Sequence, residues 1–120
     1  MSAYFAFEQT SPAGDLKQFV FRLDDPAKID EAHSILAGAE PLRVRVQGIV
    51  VKGAADYNPG WSFHLDPKTI SFFEMQIEVC DANVTYVEDR LDEVGGAFLP
   101  KGVWCPWSST LAREVTWPAL

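Results

Sequence analysis

Residues 57–67 read YNPGWSFHLDP, a stretch with two turn signals and an alternating segment between them. Asn58-Pro59-Gly60 favours a turn, because proline presets φ and glycine accepts the positive φ that other residues avoid. From Trp61 to Asp66 apolar and polar residues alternate, which is typical of a strand with one buried face. The stretch therefore predicts a turn, a strand and a second turn, with His64 on the polar face.

The following segment, Ile70–Cys80, alternates in the same way and predicts a second strand. A three-residue loop at 67–69 would join the two strands as a hairpin. In that register His64 faces Phe72 and Ser62 faces Glu74. The apolar side chains of the second strand then lie on the core face, and they are Phe73, Met75, Ile77 and Val79.

The rest of the chain predicts an α+β fold. Further strands are expected at Tyr4–Phe7, Lys17–Leu23, Leu42–Lys52 and near Leu111–Val115, and a bulge or, alternatively, a hairpin turn is expected at Gln47-Gly48. One helix begins at Asp24-Asp25-Pro26 and ends near Gly38, and another begins after Asp81 or Asn83 and ends at Gly95-Gly96. We expect one domain over residues 1–120, an antiparallel sheet of about five to six strands with both helices on one face.

That fold assigns the core residues. The expected sheet face comprises Phe19, Phe21, Val44, Val46, Phe63, Phe73, Met75 and Ile77. The expected helix stripes are Ile29, Ala32 and Leu36 in the first helix and Val84, Val87 and Leu91 in the second.

Composition excludes several classes of partner. The 120 residues are 48% hydrophobic and 22% charged, and the net charge of −7 argues against nucleic acid and anionic membranes as partners. No apolar stretch approaches the roughly 20 residues that span a bilayer, and no leader follows Met1. We therefore expect a soluble cytoplasmic protein, or a secreted one if a leader has been trimmed.

Cys80 and Cys105 are the two cysteines. Without a secretion signal the favoured interpretation is two buried, reduced thiols. A disulfide that closes a loop of about 25 residues is the alternative. Their spacing gives little support for a zinc site.

His64 is the first candidate for acid–base chemistry, since the unperturbed pKa of histidine, about 6.5, allows proton transfer near neutrality. Glu74 or Glu78 on the neighbouring strand would support it, and the reaction type would be an isomerase, cyclase or lyase. A metal site at His64, Asp66 and the two glutamates, or a purely structural hydrogen bond of His64, remains open. No cofactor is identified, because neither a phosphate-binding glycine loop nor a Walker pattern is present.

Aromatic residues on turns are candidates for ligand binding. Tyr57 and Trp61 precede the polar strand, and Trp104 and Trp107 flank Cys105-Pro106. These four side chains, together with Ser62 and Asp66, could form a binding rim for a protein or a small molecule. Alternatively, the tryptophans of the tail close one end of the sheet as core residues.

Four motif strings carry a family resemblance: residues 57–67, residues 70–82 (ISFFEMQIEVCDA), residues 86–89 (YVED) and residues 104–109 (WCPWSS). From about residue 19 to 115 the chain resembles small proteins labelled calmodulin-binding protein, after the N-terminal domain of a slime-mould calmodulin-binding protein. The resemblance implies a shared fold and brings no catalytic or binding residue with it.

Charge argues against calmodulin as the partner of this chain. Calmodulin targets are usually basic amphipathic helices, whereas the second predicted helix carries Asp81, Glu88, Asp89, Asp92 and Glu93 against Arg90 alone. Our leading hypothesis is a binding module that presents its aromatic turns to a protein or small-molecule partner. The alternatives are a small enzyme that uses His64 and a protease-inhibitor-like protein.

Overall fold

The structure, a computed structural model, describes residues 1–118, and its strands form three sheets. In chain order the strands are β1 (Ala3–Thr10), β2 (Leu16–Leu23), β3 (Arg45–Lys52), β4 (Phe63–Leu65), β5 (Ser71–Phe73), β6 (Val94–Gly95), β7 (Phe98–Pro100), β8 (Val103–Trp104) and β9 (Thr110–Val115). The helices are α1 (Pro26–Leu36) and α2 (Val84–Asp89). The predicted α+β class is confirmed, but the expected single sheet is split into sheets of three, four and two strands.

The first sheet has the order β2-β1-β9 and is antiparallel throughout. Its register places Phe5 opposite Phe21 and Phe7 opposite Phe19, and all four rings are buried. Cross-strand aromatic pairs of this kind stabilise a hairpin beyond the area that they bury. The strands predicted at both ends of the chain are thus confirmed, and β1 and β9 extend slightly further than expected.

The second sheet is built on β3, which pairs antiparallel with β4, β5 and β8. Because β4 and β5 are both antiparallel to β3, they run in the same direction, and the predicted hairpin between them is wrong. His64 lies opposite Val51 instead of Phe72. The cause is a 3₁₀ turn at Pro67–Thr69, where Asp66 Oδ1 accepts a hydrogen bond from the Lys68 N–H at 3.0 Å. This capped turn is an insertion between β4 and β5 and does not reverse the chain.

Gly48 lies in the middle of β3 without a bulge, and no hairpin turn forms there. The even-numbered residues of β3 face the core in regular alternation, whereas Ile49 and Val51 are exposed. A Cβ at Gly48 would meet the Ile70 side chain at 3.3 Å and the Leu65 side chain at 3.4 Å. Glycine at this position therefore makes room for the turn that packs over β3.

The segment after Phe73 leaves the sheet, which contradicts the predicted strand Ile70–Cys80. Met75, Ile77 and Val79 are 80%, 67% and 53% exposed, so placing Met75 and Ile77 in the core was wrong. Phe73 pairs with Arg45, the first residue of β3, and the paired part of β3 ends there. Apolar alternation beyond Phe73 therefore has no partner strand against which to be buried.

Both helices begin as predicted. At α1, Asp25 Oδ1 accepts a hydrogen bond from the Ala27 N–H at 2.9 Å, and Pro26 is the first helical residue. At α2, Asn83 Oδ1 accepts from the Thr85 N–H at 3.1 Å, which selects Asn83 over Asp81 as the cap. The buried residues are Ile29, Ala32 and Ile35 in α1 and Val84 and Val87 in α2, while Leu36 and Leu91 are only partly buried.

Trp104 is the largest fully buried side chain and joins the two larger sheets. Its ring centroid lies 5.6 Å from that of Phe7, 5.3 Å from Phe19 and 5.5 Å from Phe63. The indole Nε1 donates to the Ala82 carbonyl at 2.9 Å, so burial leaves no polar atom of the ring unsatisfied. The proposed exposed rim is wrong for Trp104, which is a core residue.

Replacing Trp104 with Ala removes the contact between the sheets and leaves the Ala82 carbonyl without its donor. We expect a loss of about 3–5 kcal/mol in the free energy of unfolding, measured by urea denaturation. Ile77→Ala serves as the control and should change this free energy by less than about 0.5 kcal/mol, because the side chain faces solvent. A large loss for Ile77→Ala would mean that the segment after Phe73 is part of the core.

Candidate functional site

The predicted site residues lie on two surfaces at opposite ends of β3. His64 pairs with Val51 near one end, and Phe73, which precedes Glu74, pairs with Arg45 at the other. Strands rise about 3.3 Å per residue, so the two places are roughly 20 Å apart. Glu74 does not support His64 as an acid–base partner, and Glu78 follows it on the distant surface.

His64 lies in a shallow basin with a volume of about 440 Å³. Its Nδ1 is 2.7 Å from the Gly53 carbonyl oxygen. Because a carbonyl only accepts, Nδ1 carries the hydrogen in this contact, and Nε2 of the neutral ring is left as an acceptor. The main lining side chains of the basin, apart from His64, are Tyr4, Arg22, Asp56, Tyr57 and Trp117.

The charged groups of the basin are paired. Arg22 Nη2 donates to Asp24 Oδ2 at 3.1 Å, and this hydrogen bond raises the pKa of the Arg22 guanidinium. Burial acts to raise the pKa of Asp24, but hydrogen bonds from Ser2 and Arg22 outweigh it and lower that pKa. Burial also raises the pKa of the Tyr57 hydroxyl, which therefore stays protonated at neutral pH. The basin accordingly presents a neutralised cation, a phenol and an imidazole.

Asn58 is a structural residue whose role sequence reasoning missed. It is buried, its Oδ1 accepts from the Val20 N–H at 2.8 Å, and its Nδ2 donates to the Phe63 carbonyl at 3.2 Å. The side chain thereby holds the Asn-Pro-Gly turn against β2 and β4 and places Tyr57 in the basin. The turn motif could have revealed Asn58, because asparagine side chains bond to backbone groups at turns, but its partner in β2 is distant in sequence.

The other predicted binding residues of this region have structural roles. Trp61 is partly buried, and its Nε1 donates to the Gln18 carbonyl at 2.8 Å. The Ser62 N–H donates to Glu88 Oε1 at 2.7 Å, which ties β4 to α2. Asp66 caps the 3₁₀ turn. Among residues 1–118 no group of three or more histidine, cysteine, aspartate or glutamate side chains is arranged to hold a metal ion, so the metal alternative at His64, Asp66, Glu74 and Glu78 has no cluster to support it.

The second surface is the segment Glu74–Val79, called here the 74–79 loop. At its start, Arg45 Nη1 donates to the Glu74 carbonyl at 3.2 Å, and Arg45 Nε donates to the Trp107 carbonyl. Immediately after the loop, Cys80 forms a disulfide with Cys105, and the Cys105 N–H donates to the Cys80 carbonyl at 2.7 Å. The loop is thus fixed at both ends and exposed in between.

Two hollows border the 74–79 loop. One, of about 150 Å³, is lined by Arg45, Glu74, Met75 and Trp107. The other, of about 240 Å³, contains Ile77 and Val79 together with the disulfide and Pro100. Trp107 is partly exposed here, and of the four predicted aromatic residues only Tyr57 and Trp107 line hollows, at opposite ends of β3. The predicted continuous aromatic rim therefore does not form.

The disulfide corrects the expectation of two reduced cysteines. The two Cα atoms are 5.1 Å apart, which is within the range that a bridge requires. Sequence spacing could not show this proximity, because β8 brings Cys105 beside the end of the 74–79 loop only when Trp104 is packed in the core.

We expect no free thiol in the purified, unreduced protein. Ellman's reagent added in concentrated guanidinium chloride should find none before reduction and two after it. Reduction should also lower the free energy of unfolding by roughly 3 kcal/mol, since the bridge closes a loop of about 25 residues. Two reactive thiols in unreduced protein would contradict the pairing and would detach the 74–79 loop from its second anchor.

Comparison with known proteins gives one match. Residues 1–118 match a family model that describes the N-terminal domain of a calmodulin-binding protein. The match covers more of the chain than the region from about 19 to 115 on which the resemblance was based. No curated protein and no solved structure shows a significant match to the chain. Within residues 1–118 the structure has no helix whose length and apolar content would suffice to cross a membrane.

Proposed function

Because the chain belongs to this N-terminal domain family of calmodulin-binding proteins, we propose that it is a protein-binding module and that its binding segment is the 74–79 loop. The observation that carries this proposal is the exposure of Met75, Ile77 and Val79 on a segment fixed at both ends. Contiguous exposed apolar side chains of this kind mark interaction sites. A segment held in place before binding also loses little conformational entropy when it is bound.

The backbone of the 74–79 loop favours insertion into a cleft. Within the described residues, no backbone–backbone hydrogen bond outside the helices and strands involves the N–H groups of Met75, Gln76 or Ile77. Ile77 is extended, with φ −70° and ψ 152°. An extended segment with unpaired backbone groups and alternating side chains can add to a partner's strand while its apolar side chains enter pockets.

The partner that fits this loop is an endopeptidase with an apolar primary pocket. Such enzymes bind an extended backbone and one apolar side chain, and the loop offers both on a disulfide-anchored frame. Glu74 and Glu78 alternate with the apolar side chains, and the whole chain carries a net charge of −7. Lysine or arginine at the border of the enzyme's cleft would complement this charge. This partner makes the protease-inhibitor alternative specific.

The family label points to calmodulin as another protein partner and so counters the charge argument against it. The 74–79 loop is short, non-helical and acidic, whereas calmodulin targets are mostly basic amphipathic helices. We therefore place the endopeptidase first and include calmodulin in the same experiment. The disulfide also leads us to propose an oxidising compartment as the place of action, because such bridges are rare in the reducing cytoplasm.

The experiment measures inhibition of a panel of serine, cysteine, aspartic and metallo endopeptidases that prefer apolar residues. We expect the protein to inhibit at least one member with an inhibition constant near or below about 1 μM, or roughly 8 kcal/mol of binding. The triple variant M75S/I77S/V79S should weaken this inhibition by at least about 30-fold, the usual size of a hot-spot loss.

A matched control replaces two exposed leucines elsewhere, Leu16 and Leu42, with Ser and should leave inhibition unchanged. If the parent protein inhibits no member of the panel, or if the triple variant inhibits as strongly as the parent, the proposal is wrong. Binding of Ca²⁺-loaded calmodulin that disappears in the triple variant would assign the loop to calmodulin instead of an endopeptidase.

A further inference from the structure

We propose that the basin around His64 is a second binding site, for a neutral sugar ring. The basin combines three aromatic side chains, Tyr4, Tyr57 and Trp117, with the hydrogen-bonding groups of His64 and Arg22. It lies at the other end of β3 from the 74–79 loop, so this site does not depend on the loop or its partner. Its volume of about 440 Å³ is within the range of roughly 300–1,000 Å³ that is usual for small-molecule sites.

The aromatic side chains match the apolar face of a sugar ring. Tyr4 and Tyr57 pack against each other with centroids 5.2 Å apart, and Tyr57 makes an edge contact with His64 at 6.3 Å. Trp117 also lines the basin and is 37% exposed, which leaves part of its indole accessible. The C–H groups on one face of a pyranose carry a slight positive charge, and they pack well on the negative face of an aromatic ring.

The polar groups of the basin match the hydroxyl groups of a sugar. His64 Nδ1 is held by the Gly53 carbonyl, so Nε2 of the neutral ring can accept a hydrogen bond from a hydroxyl. Arg22 is paired with Asp24 through Nε and Nη2, at 3.0 and 3.1 Å, which leaves Nη1 as a donor. A ligand with both donors and acceptors at the edge of an apolar face satisfies this set.

The charges of the basin favour a neutral ligand over an anion. The Arg22 cation is paired with Asp24, and Asp56 adds a second carboxylate to the lining. A phosphate or carboxylate would therefore meet more negative than positive charge. Tyr57 stays protonated and contributes a further hydroxyl donor without adding charge.

The test is saturation-transfer NMR with the methyl glycosides of glucose, galactose, mannose and N-acetylglucosamine, followed by titration of any that respond. We expect at least one glycoside to bind, with saturation concentrated on the C–H protons of one ring face. Trp117→Ala should weaken binding by about tenfold or more, in line with the loss of one stacking contact. Tyr86→Ala, a matched exposed aromatic outside the basin, should leave binding unchanged.

Three outcomes would overturn the proposal: no glycoside binds the parent protein, Trp117→Ala binds as well as the parent, or inorganic phosphate binds the basin in place of the glycosides. The M75S/I77S/V79S variant separates the two proposals. It should keep sugar binding even if the endopeptidase proposal fails, because the loop and the basin share no residue.

Discussion

The rest of the structure depends on the burial of Trp104 between the two larger sheets. Its indole touches Phe7 and Phe19 of the first sheet and Phe63 of the second, and its N–H is bonded to the Ala82 carbonyl. Neither sheet has enough apolar surface of its own to exclude water from both faces. One large ring that reaches both of them makes a single core from two small sheets.

The position of Trp104 also determines where the exposed loop lies. Cys105 follows Trp104 directly, so packing of the ring brings the Cys105 sulfur to Cys80. Cys80 closes the 74–79 loop, and Arg45 at the start of β3 holds its other end. The apolar loop is therefore displayed by the core itself, which is a reason to interpret its exposure as functional and not as a defect of packing.

Local signals predicted much of this fold. The alternation of β1 and β2, the Asp25 cap with Pro26 and the Asn83 cap are each decided within a few residues, and the structure agrees with them. The alternation of residues 70–80 is equally clear, but burial of a strand needs a partner. Glu40 Oε2 accepts from the backbone N–H groups of Leu42 and Arg43, so the segment before β3 forms a turn and offers no strand to pair with residues 74–80.

The candidate sites were predicted only in part, for a related reason. His64 and Tyr57 are close in sequence, and they do share a basin. Arg22, Tyr4 and Trp117 complete that basin from β1, β2 and the chain's end, and no short-range pattern indicates such an arrangement. Glu74 was assigned to His64 through a hairpin that depends on the type of one turn, and the Asp66 cap gave the other type.

Hydrogen exchange of the individual backbone and indole N–H groups, followed by NMR, tests the central claim most directly. The account predicts that the Trp104 indole N–H and the backbone N–H groups of β3 that pair with other strands exchange only through global unfolding. The backbone N–H groups of Met75, Gln76 and Ile77 should exchange at nearly the rate of an unstructured peptide. Strong protection of these three, together with rapid exchange of the Trp104 indole, would show that residues 74–79 form a core strand and that Trp104 does not join the sheets.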